Sequence, residues 1–347
     1  MTRIALDAMG GDNAPTEIVR GGVEAAEKLE DVKVILVGVQ AQIEAELAKY
    51  PKAVETARKA GRLAVVPASE ILEMDDEPAK SVRAKKDCSI NVAMRLVKDG
   101  KADAFVSAGN SGAVSASAIF NLGRIRGVHR PAIAAVLPTR RPIRPLLLLD
   151  AGANMDCHAD WLVQFAIMGS VYSRAVFKRT KPLVGLLSIG TEDCKGNELS
   201  KETFPLLKEV KTLDFRGNVE GHDVFQGQTD VVVCDGFVGN VVLKTAESLA
   251  HAVGYFLKRE CFRGVTRILG AMLLKGVFKS LKQQLDPDIY GGAPLLGVPG
   301  AVIITHGSST HKAIFYAVKA GANAARNDVT GLIARDIAEY EANRKTL

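Results

Sequence analysis

The sequence predicts an α/β fold with a mainly parallel sheet covered by helices on both faces. Short, continuous apolar runs alternate along the chain with segments of helical periodicity, which is typical of buried parallel strands. Gly- and Asn-rich loops recur where the apolar runs end, and open α/β sheets bind ligands at such positions. A chain of 347 residues, 47% of them hydrophobic, is long enough for one large α/β unit or two lobes.

The elements follow from these runs in order. Strands are predicted at residues 4–7, 32–38, 63–66, 102–107, 133–137, 146–150, 184–189, 231–234 and 302–305. Helices are predicted at 16–29, 41–49, 91–98, 111–122, 160–177, 201–208, 238–258, 309–325 and 331–342. Pro15 suits the first helical position, because the N–H group that proline lacks would have no acceptor within the helix there. We treat residues 1–347 as a single domain that can divide into two lobes with a cleft between them, and residues 138–145 are the best candidate break.

Composition and missing motifs exclude several classes. Aromatic residues make up 5% of the chain and no basic groove-reading motif occurs, so no nucleic-acid partner is predicted. The five cysteines form no Cys-x-x-Cys pair, which predicts a reducing, cytoplasmic location and no metal site. No signal-peptide pattern opens the sequence, and no apolar run is long enough to span a membrane. Gly-x-Gly-x-x-Gly after a strand, the Walker A sequence and the Gly-x-Ser-x-Gly elbow are all absent.

The strand-end loops are the strongest functional feature. They span residues 7–15, 107–112, 150–156, 190–197, 217–223 and 235–240. Glycine allows the backbone to approach a ligand closely, and asparagine both donates and accepts hydrogen bonds. Loops 107–112 and 235–240 should open helices, whose first N–H groups and dipole favour an anion. The set therefore predicts a polar, anionic ligand held largely by backbone amides.

One segment has a different composition from the rest. Residues 258–284 are predicted to form a basic amphipathic helical segment, with a break at Gly270 or Gly276 because its apolar face shifts between the two halves. Such segments bind membrane surfaces or acidic partners, and the alternative is two core helices with solvated lysines. The candidate contacts to an acidic partner or a membrane are Arg259, Arg263, Arg267, Lys275, Lys279 and Lys282.

Together the loops resemble the bacterial phosphate acyltransferase family. The resemblance rests on residues 7–15, 107–110, 150–156, 195–197, 217–223, 235–240 and 306–309, in order along essentially the whole chain. It implies transfer of a fatty acyl chain from acyl-acyl-carrier protein to inorganic phosphate for phospholipid synthesis, with no cofactor. It also implies a fold similar to the isocitrate/isopropylmalate dehydrogenase type, a homodimer, peripheral contact with an anionic membrane, and a downstream glycerol-3-phosphate acyltransferase.

This chemistry agrees with the residue types in the loops. Phosphate is itself the nucleophile, so the enzyme must position it and stabilise a tetrahedral oxyanion. We assign Lys195 to neutralising the phosphate or the oxyanion, Asn240 to donation, and Asp235 and His306 to orienting groups or moving a proton. The predicted substrate and phosphate contacts are Asn13, Gly109, Asn110, Ser111, Asn154, Asn197 and Gly239.

Three other functions remain open from the sequence. A decarboxylating dehydrogenase would need an acidic metal cluster, for which Asp230 with Asp235 and Asp150 with Asp156 are the only spacings that suggest one. An acyltransferase that uses acyl-coenzyme A and makes acetyl phosphate would share the chemistry but not the donor. A non-catalytic membrane-interaction protein would use the 258–284 segment and would not need the Gly/Asn loops.

Overall fold

The computed structural model describes residues 1–141, 144–285 and 287–344, with the backbone alone at 282, 283, 285 and 287. Its strands are β1 (Thr2–Asp7), β2 (Val32–Gly38), β3 (Leu63–Pro67), β4 (Ala104–Ser107), β5 (Ala132–Leu137), β6 (Leu146–Leu149), β7 (Leu183–Ser188), β8 (Asp214–Glu220), β9 (Val231–Val233), β10 (Ala293–Leu296) and β11 (Ala301–Ile304). Its helices are α1 (Thr16–Lys28), α2 (Gln40–Leu47), α3 (Pro51–Lys59), α4 (Pro78–Ala84), α5 (Ser89–Lys98), α6 (Ser111–Asn121), α7 (Ala159–Val176), α8 (Glu198–Glu209), α9 (Gly236–Cys261), α10 (Val265–Leu273), α11 (Lys275–Leu285), α12 (His311–Arg326) and α13 (Val329–Arg344), with a short 3₁₀ helix at Pro287–Tyr290.

The strands form one 11-stranded sheet in the order β3-β2-β1-β4-β11-β10-β5-β6-β9-β7-β8. The five strands from β3 to β11 are parallel to one another, as are the four from β6 to β8. Between these halves, β10 pairs antiparallel with β11 and β5, and β5 pairs antiparallel with β6. The two parallel halves therefore run in opposite directions along the sheet.

Both faces of the sheet are covered. Along β5, Ile133 and Ala135 pack into one hydrophobic cluster, whereas Ala132 and Ala134 pack into another. Because successive side chains of a strand point to opposite faces, this alternation means that each face meets its own helical layer. The predicted fold class, a mainly parallel α/β sheet with helices on both faces, is confirmed, while the division into two lobes remains a prediction.

Several element predictions were wrong. Residues 217–220 belong to β8 rather than to a loop, because the polar sequence of β8 gave no apolar run to recognise. Helices α3 and α4 and strand β10 were missed. Pro15 lies one residue before the first helical position of α1, at its N-cap. The candidate break at 138–145 lies partly outside the described residues, at positions 142 and 143.

The helices that follow β9 extend beyond the protein body. Of the 26 residues of α9, only Gly236 and Gly239 in its first turn are buried, and α10 has no buried residue. The breaks fall around Gly264, which has a φ of +95°, and at Leu274, rather than at Gly270 or Gly276. The alternative of two core helices is therefore wrong. Within the described ranges, none of the helices combines the length and apolarity needed to cross a bilayer.

A buried ion pair ties the two strands β6 and β9 together at their amino ends. Asp230, which is 1% exposed, accepts hydrogen bonds from Arg144 Nε at 2.8 Å and from the Leu183 N–H at 2.9 Å. Burial alone would raise the pKa of Asp230, but the Arg144 guanidinium and the Leu183 N–H outweigh it and hold the pKa below its usual value.

Replacing Asp230 by asparagine should lower the free energy of unfolding at pH 7 by about 3–5 kcal/mol, because Arg144 loses its buried partner. Since the folded pKa is depressed, the contribution of Asp230 is complete above its unfolded value of about 3.9 and is lost as the pH falls through the folded value. Denaturant unfolding of both proteins between pH 7 and pH 3 measures this. A difference that did not shrink with acidification would contradict the assignment.

Candidate active site

Asp150 organises the loop that follows β6. Its carboxylate is fully buried and accepts hydrogen bonds from the backbone N–H groups of Ile133 (3.0 Å), Gly152 (3.2 Å), Ala153 (3.0 Å) and Asn154 (2.7 Å). Burial raises the pKa of Asp150, and these donors oppose that rise. Because the surrounding groups are donors, they favour the ionised form, and the carboxylate fixes the path of residues 150–154.

The amino end of α9 is packed directly on this loop. Asp235 caps the helix, accepting a hydrogen bond from the Val238 N–H at 2.8 Å, and the Gly236 N–H donates to Asn154 O at 2.7 Å. A Cβ atom at Gly239 would lie 1.8 Å from Asp150 O, so the helix approaches as closely as glycine permits. Loop 150–154 and the first turn of α9 therefore form one rigid unit.

Lys195 lies on the loop that follows β7, next to β9 in the sheet. Asn197 caps α8, accepting hydrogen bonds from the N–H of Ser200 at 2.9 Å and from its hydroxyl at 2.7 Å. A Cβ atom at Gly190 would lie 2.8 Å from Lys195 Cγ, so the lysine side chain runs against that glycine. Lys195 is exposed and has no acidic partner in the part of the chain that the structure describes.

A second group of loops lies in the other parallel half. Asp7, fully buried at the end of β1, accepts hydrogen bonds from the Ser107 hydroxyl at 2.6 Å and from the Met9 N–H at 3.1 Å. Burial raises the pKa of Asp7, and the hydroxyl groups of Ser107 and Ser89 oppose that rise. Like Asp150, Asp7 is a buried carboxylate that shapes the loop after its strand.

The remaining predicted site residues join these N-terminal loops to one another. Asn13 Nδ2 donates to Ser308 O at 3.1 Å, bridging loops 7–15 and 306–309. Asn110 caps α6 through the Ala113 N–H at 3.1 Å and donates to Met74 O at 2.8 Å. His306 Nδ1 lies 2.8 Å from the Ser308 hydroxyl.

The structure thus separates the predicted donors into engaged and free groups. Asn154 uses its Nδ2 on Asp150 and on Pro131 O, both at 2.8 Å. The N–H of Gly109 donates to Ser107 Oγ at 2.9 Å and that of Gly239 to Asp235 O at 3.0 Å, so these two N–H groups are engaged within the protein, and the ligand contacts predicted around them remain predictions. Of the predicted catalytic and substrate-binding side chains, three have no hydrogen-bond partner among the described residues: Ser111, Lys195 and Asn240.

Two cysteines near these loops, Cys157 and Cys234, are poor nucleophiles, whereas Cys194 on the loop after β7 is exposed. Burial, reinforced by the charge of Asp150, raises the pKa of Cys157 to about 12. Burial also raises the pKa of Cys234, whose sulfur lies 3.7 Å from Asp150 O. Because the thiolate is the reactive form, neither residue is suited to attack a substrate at neutral pH.

The acidic pairs required by a dehydrogenase are not brought together. Asp230 precedes β9 and Asp235 follows it, so the strand separates them, and Asp230 is bound to Arg144. The carboxylate of Asp150 is surrounded by N–H donors.

A different group of possible metal ligands lies at the end of β8. The potential ligand atoms of Glu220, His222 and Asp223 lie within 4.8 Å of one another there. Sequence analysis did not identify this cluster because no ligand spacing marked it.

Two solved phosphotransacylase structures share the fold of this chain. A phosphotransacetylase from Streptococcus pyogenes superposes with a TM-score of 0.61 at 16% identity, covering 94% of both chains. A branched-chain phosphotransacylase from Enterococcus faecalis gives a TM-score of 0.58 at 14% identity, covering 94% of this chain and 99% of that one. At these identities the likeness establishes the fold alone.

Sequence relatives are much closer. The family model described as "Fatty acid synthesis protein" matches residues 2–332. The chain is 49% identical to a phosphate acyltransferase of Nostoc sp., with 94% of each chain covered. It is 48% identical to a phosphate acyltransferase of Desulfitobacterium hafniense, with 99% of each chain covered. The chain therefore belongs to the phosphate acyltransferase family.

Proposed function

We propose that this protein transfers a fatty acyl chain from acyl-acyl-carrier protein to inorganic phosphate, releasing acyl phosphate and free carrier protein for phospholipid synthesis. The observation that carries the proposal is the pair of unengaged polar side chains, Lys195 and Asn240, at one sheet edge of a chain that belongs to the phosphate acyltransferase family. These groups can bind and polarise an acyl donor. The thiols of Cys157 and Cys234 have raised pKa values and are poor nucleophiles, whereas the exposed Cys194 lies beside Lys195. In the proposed reaction, phosphate supplies the attacking oxygen.

The proposed reaction has one addition and one elimination. A phosphate oxygen attacks the thioester carbonyl carbon, and the carbonyl oxygen becomes an oxyanion stabilised by Lys195 and Asn240. The carbon–sulfur bond then breaks, and the carrier thiolate leaves with the electron pair. Because a thiol has a pKa of about 8.5, it leaves without a strong acid. Holding both reactants in place contributes up to ~7–11 kcal/mol of the barrier reduction.

The phosphate requires a second contact, which the N-terminal loop group supplies in this proposal. At the amino end of α6, Ser111 is exposed with an unengaged hydroxyl, and the first N–H groups of a helix favour an anion. Six steps in the sheet separate β1 from β9. A typical sheet twist of 20–25° a step would turn these strands by about 120–150° relative to each other, and we propose that the carboxyl ends of the two halves face a shared cleft.

The reaction is tested by measuring release of free carrier protein from palmitoyl-acyl-carrier protein, with and without inorganic phosphate, while hydroxylamine traps acyl phosphate. We expect release that depends on phosphate and yields an acyl hydroxamate. Release with coenzyme A esters of short acids, but not with the carrier substrate, would instead support the acetyl-phosphate-forming alternative. No phosphate-dependent release from folded protein with any donor would refute the proposal.

We further propose that the protein is a cytoplasmic homodimer that contacts anionic membranes and the acidic carrier protein through the 258–284 segment. Arg263 and Arg267 pair with Glu260 at 2.9 and 2.6 Å, and Arg259 lies 3.6 Å from the same carboxylate. No ion pair involves Lys275 or Lys279 where the structure describes the segment, and the Lys282 side chain lies outside the described residues. The two lysines are therefore the charges most available to a partner.

Reversing both charges with Lys275→Glu and Lys279→Glu should weaken binding to anionic vesicles or raise the KM for acyl carrier protein, because surface charge steers association. Vesicle co-sedimentation and carrier kinetics at two salt concentrations measure the two effects. The matched control is Lys52→Glu with Lys211→Glu, two exposed lysines elsewhere that give the same change in net charge. Equal behaviour of the two double variants would mean that the segment does not bind either partner.

A further inference from the structure

Exposed apolar side chains surround the free polar groups at the carboxyl ends of β6, β9 and β7. Met155 follows β6, Phe237 follows β9 and Ile189 follows β7, with exposed fractions of 47%, 63% and 80%. Single exposed hydrophobic residues are ordinary on protein surfaces. Here three exposed apolar side chains follow neighbouring strands and accompany polar side chains that have no hydrogen-bond partner. This is the composition of a ligand-binding surface.

A backbone hydrogen bond holds the segments that carry the first two of these residues next to each other. The Gly236 N–H donates to Asn154 O at 2.7 Å, so Met155 and Phe237 each directly follow one member of a bonded pair. Since Asp150 fixes the loop and Asp235 caps the helix, the relative positions of Met155 and Phe237 are held by the rigid unit described above.

The strand pairing places the third residue at the same edge of the sheet. In the parallel pair of β7 and β9 the last paired residues are Leu186 and Val233, so Ile189 lies three residues beyond the end of the ladder, as Gly236 does after β9. Neighbouring strands lie about 4.8 Å apart, which a large side chain spans easily. Lys195, which runs against Gly190, is thus adjacent to the same surface.

The first turns of α9 join the apolar surface to a polar group. Asn240 and Val241 are three and four residues after Phe237, so all three share one face of the helix. Val241 is 49% exposed. A Cβ atom at Gly152 would lie 3.6 Å from Asn240 Cγ, which places this amide at the loop. One helix face therefore offers a hydrogen-bonding group directly beside apolar side chains.

We propose that Met155, Ile189, Phe237 and Val241 bind the acyl chain, with its first carbons beside Asn240 and Lys195 and the methylene groups beyond the fourth carbon on Phe237 and Ile189. This subsite rests on the acyl-transfer function proposed above. An acyl thioester is the occupant that matches both parts of the surface, because its polar end meets Asn240 and Lys195 while its chain covers the apolar residues. A lipid tail covering this surface would leave the Asn240 amide without the carbonyl partner that a thioester supplies.

The test compares kcat/KM for palmitoyl- and butyryl-acyl-carrier protein in the wild type, Phe237→Ser and Ile189→Ser. Removing the apolar contact that one methylene group makes in a binding pocket lowers kcat/KM by about tenfold or more. We therefore expect each variant to lose about tenfold on the palmitoyl substrate and less than about twofold on the butyryl substrate. The matched control is Phe120→Ser, an exposed phenylalanine of α6 in the other half of the sheet, which should leave both values unchanged.

Equal losses on the two substrates, or no loss on either, would overturn the subsite while the wild-type activity stood. Reduced binding to phosphatidylglycerol vesicles with unchanged chain-length preference would also overturn it, because the surface would then contact membrane. A wild type without phosphate-dependent transfer would instead overturn the proposed function. Melting temperatures near that of the wild type, which the exposure of both side chains predicts, confirm that each variant is folded.

Discussion

Replacing Lys195 by alanine should lower kcat about 100- to 1,000-fold, the loss seen when one oxyanion donor is removed from comparable sites. The lysine is exposed and has no acidic partner in the described parts of the chain, so its charge is available to the substrate and is not required for folding. Stability should therefore be unchanged. Steady-state kinetics with carrier substrate and phosphate, together with a thermal melt, measure both quantities.

The kinetic pattern distinguishes the two tasks proposed for Lys195. If its ammonium group neutralises bound phosphate, the KM for phosphate rises; if it stabilises only the oxyanion, kcat falls while that KM is unchanged. Lys201→Ala is the matched control, because Lys201 is an exposed lysine of the adjacent helix α8 and should behave as the wild type. A Lys195→Ala variant with kcat and phosphate KM both within about twofold of the control would remove the residue from the mechanism.

Sequence analysis correctly predicted the elements that consist mainly of apolar residues because they are buried. Strands such as β2 and β6 are continuous apolar runs, and their predicted and observed bounds agree closely. By contrast, β8 is polar along much of its length and is recognised as a strand only through its pairing with β7. The antiparallel pairing of β10 with β5 and β11 depends in the same way on contacts between distant residues, which periodicity does not encode.

The candidate site was predictable to a similar degree. The loops that contain it follow from their glycines and asparagines, but the use made of each polar group does not. Asn154 and Asn240 are the same residue type in two of the predicted Gly/Asn segments, yet Asn154 is bound to Asp150 whereas Asn240 has no described partner. Asn154 lies in the loop after β6 and Asn240 in α9, which packs on that loop, and only the folded structure reveals this difference. Asp150 itself was passed over as a site residue because its carboxylate acts on the loop rather than on a ligand.

The close contact between α9 and loop 150–154 leads to the second large expected effect. Gly239→Ala should destabilise the protein strongly and abolish acyl transfer, because the added Cβ would lie 1.8 Å from Asp150 O. Backbone atoms cannot turn aside as a side chain can, so the helix must move away from the loop. Overpacking of this kind typically costs about 1–3 kcal/mol and occasionally more, and here it also displaces Asn240, one residue further along.

The same helix supplies the control that makes this test decisive. Gly254 also lies within α9, but a Cβ atom there meets nothing within 4 Å, so Gly254→Ala should raise the free energy of unfolding by up to about 1 kcal/mol through helix propensity. The two substitutions are chemically identical, and denaturant unfolding followed by the single tryptophan, Trp161, compares them directly. If both substitutions raised the free energy of unfolding equally and Gly239→Ala kept its turnover, the contact with Asp150 O would not hold α9 in place. If Gly254→Ala raised the free energy of unfolding and Gly239→Ala lowered it, the buried backbone of Asp150 would set the position of the helix that carries Asn240.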